Sequence, residues 1–219
     1  MNMFVVVEGE IGERRVYEKW IPFVNPKMIW VESIFDISEN NFAIIAGGGY
    51  PNYFEVIENA IDDVNSVGTV GRFVIAVDSE EMTFDEKYLE ISGFLANKKC
   101  SASMFIVIQH FCMETWAIGN KRVGPRNPCT EILKKYKNFF NVLTDDPELL
   151  PGYPPADLNR AQFAEKYLRA MLNDRYRNLS YSKRNPKSLL HKTYFTEVKN
   201  RLETMGHLAS FSTFLDAFK

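Results

Sequence analysis

With 219 residues and a formal net charge of −2, the chain is the size of one ordinary domain, or of one domain with a small helical addition. A hydrophobic fraction of 46% supplies a core and a charged fraction of 25% an ordinary surface, which excludes wholesale disorder. The balance is not basic, so a nucleic-acid partner has to be gripped by a local patch rather than by bulk charge. The three cysteines, Cys100, Cys112 and Cys129, form no CxxC pair and no zinc spacing; they read as reduced thiols. No apolar run approaches the ~20 residues of a membrane span and no leader pattern opens the chain, so the expectation is a cytoplasmic protein without a membrane partner.

Taken in order, residues 3–7 form a short apolar run that stops at Glu8-Gly9, and a helical pattern over 13–20 follows, with Val16, Tyr17 and Trp20 inward and Pro22 as its end. A buried strand therefore delivers Glu8 to the end of a sheet, and Gly9 lets the chain turn there. Lys27 to Phe35 alternates apolar and polar residues, with Met28, Trp30 and Ile34 on one side, which predicts a half-exposed strand. Asn41–Ala46 is another apolar run, ended by Gly47-Gly48-Gly49. Those glycines lack the lysine and spacing of a phosphate loop and predict a tight strand-to-helix turn. Phe54, Ile57, Ile61 and Val64 then form one stripe of a helix opened by Pro51.

Arg72–Val77 is the clearest strand, ending in Asp78-Ser79-Glu80-Glu81. Thr83 and Glu86 have the spacing of a capping box for the next helix. Met104–Ile108 is a further strand, followed by His110 to Ile118. The beat of strand and helix through residue 120 predicts a parallel sheet with right-handed crossovers. Residues 124–128 read as a loop, 130–140 as a short basic helix, and 144–156 as too rich in proline for helix or central strand. From Leu158 to Lys219 the period is helical, broken near Asn185-Pro186. The expected domains are a catalytic part over 1–122, a connecting segment over 123–157 and a helical extension over 158–219.

Two strands end in acids: Glu8 after the first, Asp78 with Glu80 after the Arg72–Val77 strand. Because side chains alternate along extended backbone, Asp78 and Glu80 point to one side. Carboxylates that converge at a sheet edge repel unless a cation joins them. Magnesium suits such a place, because it takes a few carboxylates, several waters and substrate phosphate oxygens. That chemistry serves phosphodiester hydrolysis.

In order, Glu8-Gly9-Glu10-Ile11-Gly12-Glu13, Asp78-Ser79-Glu80 and Glu114-Thr115-Trp116 resemble the motifs of the TOPRIM domain, over roughly residues 3–120. The opening is similar to the EGxxxE of RloB-like and OLD-like nucleases. Cys112-Met113-Glu114-Thr115-Trp116 is similar to the FExW segment of RloB-like proteins. The usual DxD is here Asp78-Ser79-Glu80, and the Phe of FExW is Met113. The resemblance implies a Rossmann-like α/β fold with helices on both sides of a parallel sheet. It also implies Mg²⁺ or Mn²⁺ held by Glu8, Glu13, Asp78, Glu80 and Glu114, with Glu8 as general acid or base. Asp78, Glu80 and Lys121 complete the expected catalytic set; the lysine is ranked there because OLD-like nucleases use one beyond the metal acids. Family members act in defence against phages, often beside an ATPase. No Walker A sequence is present, so an ATPase partner has to be a separate polypeptide, as in the PARIS-type pair. The implied activity is endonucleolytic cleavage of DNA or RNA, tRNA among the candidates. The competing reading is a TOPRIM-like regulatory or binding subunit whose site is degenerate, and a third is a nucleotide-handling enzyme built on Gly47–Gly49.

Arg122 and Arg126 are candidates to grip the nucleic-acid backbone. In the tail, Arg175, Arg177, Lys183 and Arg184 join Arg169, Lys187 and Lys192, interleaved with Tyr167, Tyr176, Tyr181 and Tyr194. Basic and aromatic residues together suit backbone contact and base stacking; tyrosines at helical spacing also suit a core. Docking to a partner or to a second copy, as a homodimer, is the alternative use of that surface. Leu208, Phe211, Phe214, Leu215 and Phe218 give an apolar end that has to be buried. A lone histidine at a strand end, His110, reads as structural.

Overall fold

A computed structural model describes residues 1–175 and 180–219, excepting the side chain of Arg175. The chain is α/β, with a five-stranded parallel sheet flanked by helices and further helices toward the C-terminus. It divides into two compact units. One comprises 1–77, 84–108 and 213–219; the other comprises 78–83 and 109–212.

The first unit holds most of the sheet. β1 (Met3–Val7), β3 (Asn41–Ala46) and β4 (Arg72–Asp78) are parallel neighbours with β1 between the other two, and the sheet order is β2-β3-β1-β4-β5. Every residue of β1 is buried. This is the continuous apolar run that a strand covered on both faces requires, as opposed to an alternating one. β5 (Ser103–Gln109) completes the far edge. On one face Phe4, Val6, Phe73 and Ile75 meet Ile57, Ala60 and Val64 of α2 (Tyr53–Val67) and Ile91 of α3 (Phe84–Leu95). α1 (Gly12–Val24) buries Val16, Tyr17, Trp20 and Ile21. Tyr17 and Trp20 pack edge-on against Phe214, with ring centroids 5.1 and 6.1 Å apart, and Tyr17 also meets Phe218. The Arg72 guanidinium donates to the carbonyls of Asp216, Ala217 and Lys219, tying that segment down.

Three expectations are corrected. Pro22 does not end α1, which runs two residues further. A proline in the last turn forfeits only its own amide bond, and Asn25 N–H still closes on Ile21 O. The strand expected over 27–35 shrinks to β2 (Ile29–Trp30). Ser33 caps a 3₁₀ turn over Ile34–Asp36 instead, its side chain accepting from Phe35 N–H while Asp36 accepts from Ser33 N–H. Trp30, expected inward, is 39% exposed, and the Arg14 guanidinium lies over its ring.

The glycine turn at Gly47–Gly49 has a packing cause. A Cβ on Gly47 would lie 2.7 Å from Tyr53 Cβ and 3.2 Å from Val7 O. The amides of Gly47 and Gly49 donate to Val7 O and Glu8 O, so neither faces a phosphate.

In the second unit, α4 (Met113–Ile118), α5 (Glu131–Phe139), α6 (Arg160–Arg175) and α7 (Lys192–Met205) follow in order. α8 (Phe211–Phe218) begins here, with Phe211 packed on Trp116 and Phe195. Tyr136, Tyr153, Phe163 and Tyr167 form an aromatic cluster between α5 and α6. Tyr167, Tyr181 and Tyr194 are all buried, which corrects the base-stacking expectation for these three. The helical period turns the rings of Tyr167 on α6 and Tyr194 on α7 inward; Tyr181 lies outside any helix and is drawn in by its bond to Glu114. Tyr176, Arg177 and the side chain of Arg175 lie outside the described residues.

Candidate functional site

In the sheet unit, Glu8 N–H donates to Ala76 O, so Glu8 leaves β1 where β4 nears its end. Glu8 is only 8% exposed. Glu13, in the first turn of α1, is also buried, and its Oε2 accepts from Gly9 N–H at 2.6 Å. This contact explains the glycine: a Cβ there would lie 2.7 Å from the same oxygen. EG-x-x-x-E is thus a closed local structure in which the second glutamate folds back on the turn.

In the second unit, the loops that follow β4 and β5 are cross-linked. Ser79 N–H donates to Gln109 O and Glu80 N–H to Phe111 O, at 3.0 and 2.9 Å. Phe111 N–H donates to Ser79 Oγ, whose hydroxyl lies 2.9 Å from His110 Nδ1. Burial and the Arg160 guanidinium hold His110 below the ordinary histidine range, against Asp146, which raises it.

These bonds bend both loops into left-handed backbone, with φ of 49° at Glu80 and 45° at Phe111. For a bulky residue such as phenylalanine that is a strained conformation, and strain of this kind gathers at functional sites. The bend also corrects one expectation. β4 ends at Asp78 and the pleat stops before Glu80, so strand alternation does not set Asp78 and Glu80 on one side. Glu80 is exposed. Arg160, a residue the sequence did not single out, stands 5.0 Å over the Phe111 ring, and its N–H donates to Glu81.

Behind the bend, Glu114 is buried in α4, and Tyr181 Oη donates to its Oε1 at 2.6 Å. Burial and the Glu114 carboxylate push the Tyr181 hydroxyl far up, so it stays a donor. The carboxylates of Glu114 and Asp78 both raise the Lys183 ammonium, Glu114 more strongly, which leaves it fully charged. The same two acids, after burial itself, push the Cys112 thiol up and make it inert as a nucleophile. The second unit therefore gathers Asp78, Glu114, Tyr181 and Lys183. Lys121 is exposed, with its ammonium on Met205 Sδ, and Arg122 is an exposed partner of Glu197. Arg126 and Arg184 are exposed.

Among the described residues no group of three or more histidine, cysteine, aspartate or glutamate side chains is disposed to hold a metal ion. Asp78 and Glu114 are two acids whose fields both reach Cys112 and Lys183; two carboxylates make no closed cage, and a magnesium-like ion there would have to keep most of its water or take oxygens from substrate phosphate. No helix among the described residues is long and apolar enough to cross a membrane. Comparison with known proteins finds no family model that matches the chain, no curated protein that matches it and no solved structure that does.

Glu148 makes a separate titrating centre in this unit. Its carboxylate accepts from the backbone N–H and hydroxyl of Ser210, and Ser210 Oγ in turn accepts from Trp116 Nε1–H at 2.7 Å. Burial raises its pKa from 4.5 to about 7, against the lowering effect of the Ser210 bonds. The folded state thus prefers the protonated acid. The stability contributed is full below pH 4.5 and is lost as pH rises to about 7, some 3 kcal/mol in all. Urea melts at pH 5 and pH 8 should show that loss in the native chain and little of it in Glu148→Gln. Parallel losses in both would remove Glu148 as the cause.

Proposed function

We propose that the chain is a divalent-metal-dependent endonuclease hydrolysing phosphodiester bonds in DNA or RNA, of the TOPRIM kind its motifs resemble. The observation that carries the reading is the pair of left-handed turns at Glu80 and Phe111. They follow two parallel strands at their C-terminal ends, where open α/β sheets place ligands, and they flank Asp78 and the start of α4. Asp78 and Glu114 would hold Mg²⁺ or Mn²⁺; such an ion, when bound, activates water and offsets charge on the phosphate. The chain's own residues do the rest. Tyr181 holds the Glu114 carboxylate in one orientation. Lys183 presents positive charge to a phosphate oxygen. Glu8, as general acid or base, and Glu13 and Glu80, as further acids, keep the roles that the resemblance implies. The defence setting and a separately encoded ATPase rest on the resemblance alone.

One observation favours the rival, a degenerate binding subunit: the small number of acids grouped among the described residues. Incubation with supercoiled plasmid and with total RNA, with and without Mn²⁺, separates the two. The nuclease cuts one of them only when metal is added. No cutting, together with no heat of Mn²⁺ binding at millimolar metal, would leave the binding subunit.

A further inference from the structure

The segment after α6 returns to the acids as a built projection. Tyr181 and Pro186 are buried on either side of it. Between them the chain closes a tight turn: Asn185 N–H donates to Ser182 O at 2.8 Å and to Ser182 Oγ at 3.0 Å, and Ser182 N–H donates to Asn185 O at 3.3 Å. Lys183 and Arg184 occupy the exposed tip. Arg184 makes no ion pair among the described residues, and Lys183 lies in the field of Glu114 and Asp78 without closing an ion pair to either. A long-range bond from Tyr181 Oη to the buried Glu114 carboxylate ties the turn to α4.

We propose that the Ser182–Asn185 turn is the element that grips the backbone phosphates of a nucleic acid, and that Tyr181 is its positioning residue. Two cations stand at the exposed tip of a turn with buried flanks, Lys183 within the field of Glu114 and Asp78, where a polyanion can reach them. Backbone phosphates are the polyanion that a phosphodiesterase presents, so this step rests on the function proposed above. The Tyr181–Glu114 bond then has two consequences at once. It orients a carboxylate of the site, and it sets the distance between that carboxylate and the phosphate held at the tip. A phenylalanine would fill the same space and lose only the donor.

The test is equilibrium binding, read without cleavage. A fluorescein-labelled single-stranded oligonucleotide, as DNA and as RNA, is titrated with the full chain in EDTA over a range of salt. Replacing Lys183 and Arg184 together by alanine should weaken binding on the order of 25-fold at 0.1 M salt and flatten the slope of log K against log salt by about 1.4, two contacts at ~0.7 each. The exposed pair Lys134 and Lys135 on α5, changed the same way, should leave both unchanged. Tyr181→Phe leaves the buried Glu114 oxygen without this donor and so lowers the melting temperature; measured well below that temperature it should weaken binding, and it should add nothing further to the loss of binding in the Lys183→Ala/Arg184→Ala background. An unchanged slope in the double variant overturns the turn as the grip. Full additivity of Tyr181→Phe overturns its positioning role. Binding as described by a chain that never cuts would sink the nuclease reading and leave this one standing. A chain that cuts while the double variant keeps its slope would do the reverse.

Discussion

Replacing Arg201 by methionine lowers the stability of the second unit by about 4 kcal/mol and its melting temperature by roughly 10 °C. Arg201 is 2% exposed on α7. Its guanidinium donates to Gly119 O at 3.2 Å, Val142 O at 2.6 Å and Asp145 O at 2.6 Å, and to His207 Nδ1. Burial lowers its pKa to about 10, with Asp146 and Asp145 opposing, so it remains a cation at neutral pH. One planar group thus satisfies carbonyls from two separate turns, one at Gly119 and one spanning Val142 and Asp145. Methionine matches much of the volume and none of the donors, leaving those carbonyls buried without partners at about 1–3 kcal/mol each, less whatever water recovers. Lysine, a single point donor on a flexible stem, should recover less than half of the loss. Urea melts decide the matter. A loss under about 1 kcal/mol for Arg201→Met would mean that water reaches the carbonyls, and the guanidinium would no longer count as a tie.

Asp78→Asn should abolish metal-dependent cleavage, by about a thousandfold or more, while the melting temperature holds. The substitution keeps the shape and removes the charge. Glu114→Gln should do likewise with a smaller loss, because Tyr181 can still donate to the amide oxygen that replaces Glu114 Oε1. Calorimetry with Mn²⁺ gives the second readout: weakened binding in both variants. An Asp78→Asn chain that cuts at the native rate would remove Asp78 from the chemistry, and with it the placing of the site behind β4.

The sheet was legible in the sequence because its central strands β1 and β4 are buried on both faces and β5 is apolar along most of its length. Residues 3–7, 41–46, 72–77 and 104–108 are continuous apolar runs, and each became a strand. Alternation misled over 27–35, where a capped 3₁₀ turn satisfies the backbone locally and only Ile29–Trp30 pairs. The acids at strand ends were visible, but the course of Glu80 was not. Its left-handed backbone is set by a bond to Phe111 O, a partner distant in sequence. Tyr181 looked like a stacking residue because nothing local marks it as the donor to Glu114. Arg201 could have been found. Tyr194, Val198 and Arg201 repeat at helical spacing on one buried stripe, and a cation on such a stripe needs carbonyls to hold it.

The aromatic face of α1 carries a consequence for biosynthesis. Phe214 and Phe218, which cover Tyr17 and Trp20, are made long after them. Until then the nascent chain shows a bare aromatic surface, the kind that holdase chaperones bind and that aggregates in crowded translation. Completion of the sheet unit therefore waits until Phe214 and Phe218 have been made. Termination short of Phe214 should leave a protein cleared by proteases rather than a smaller working one.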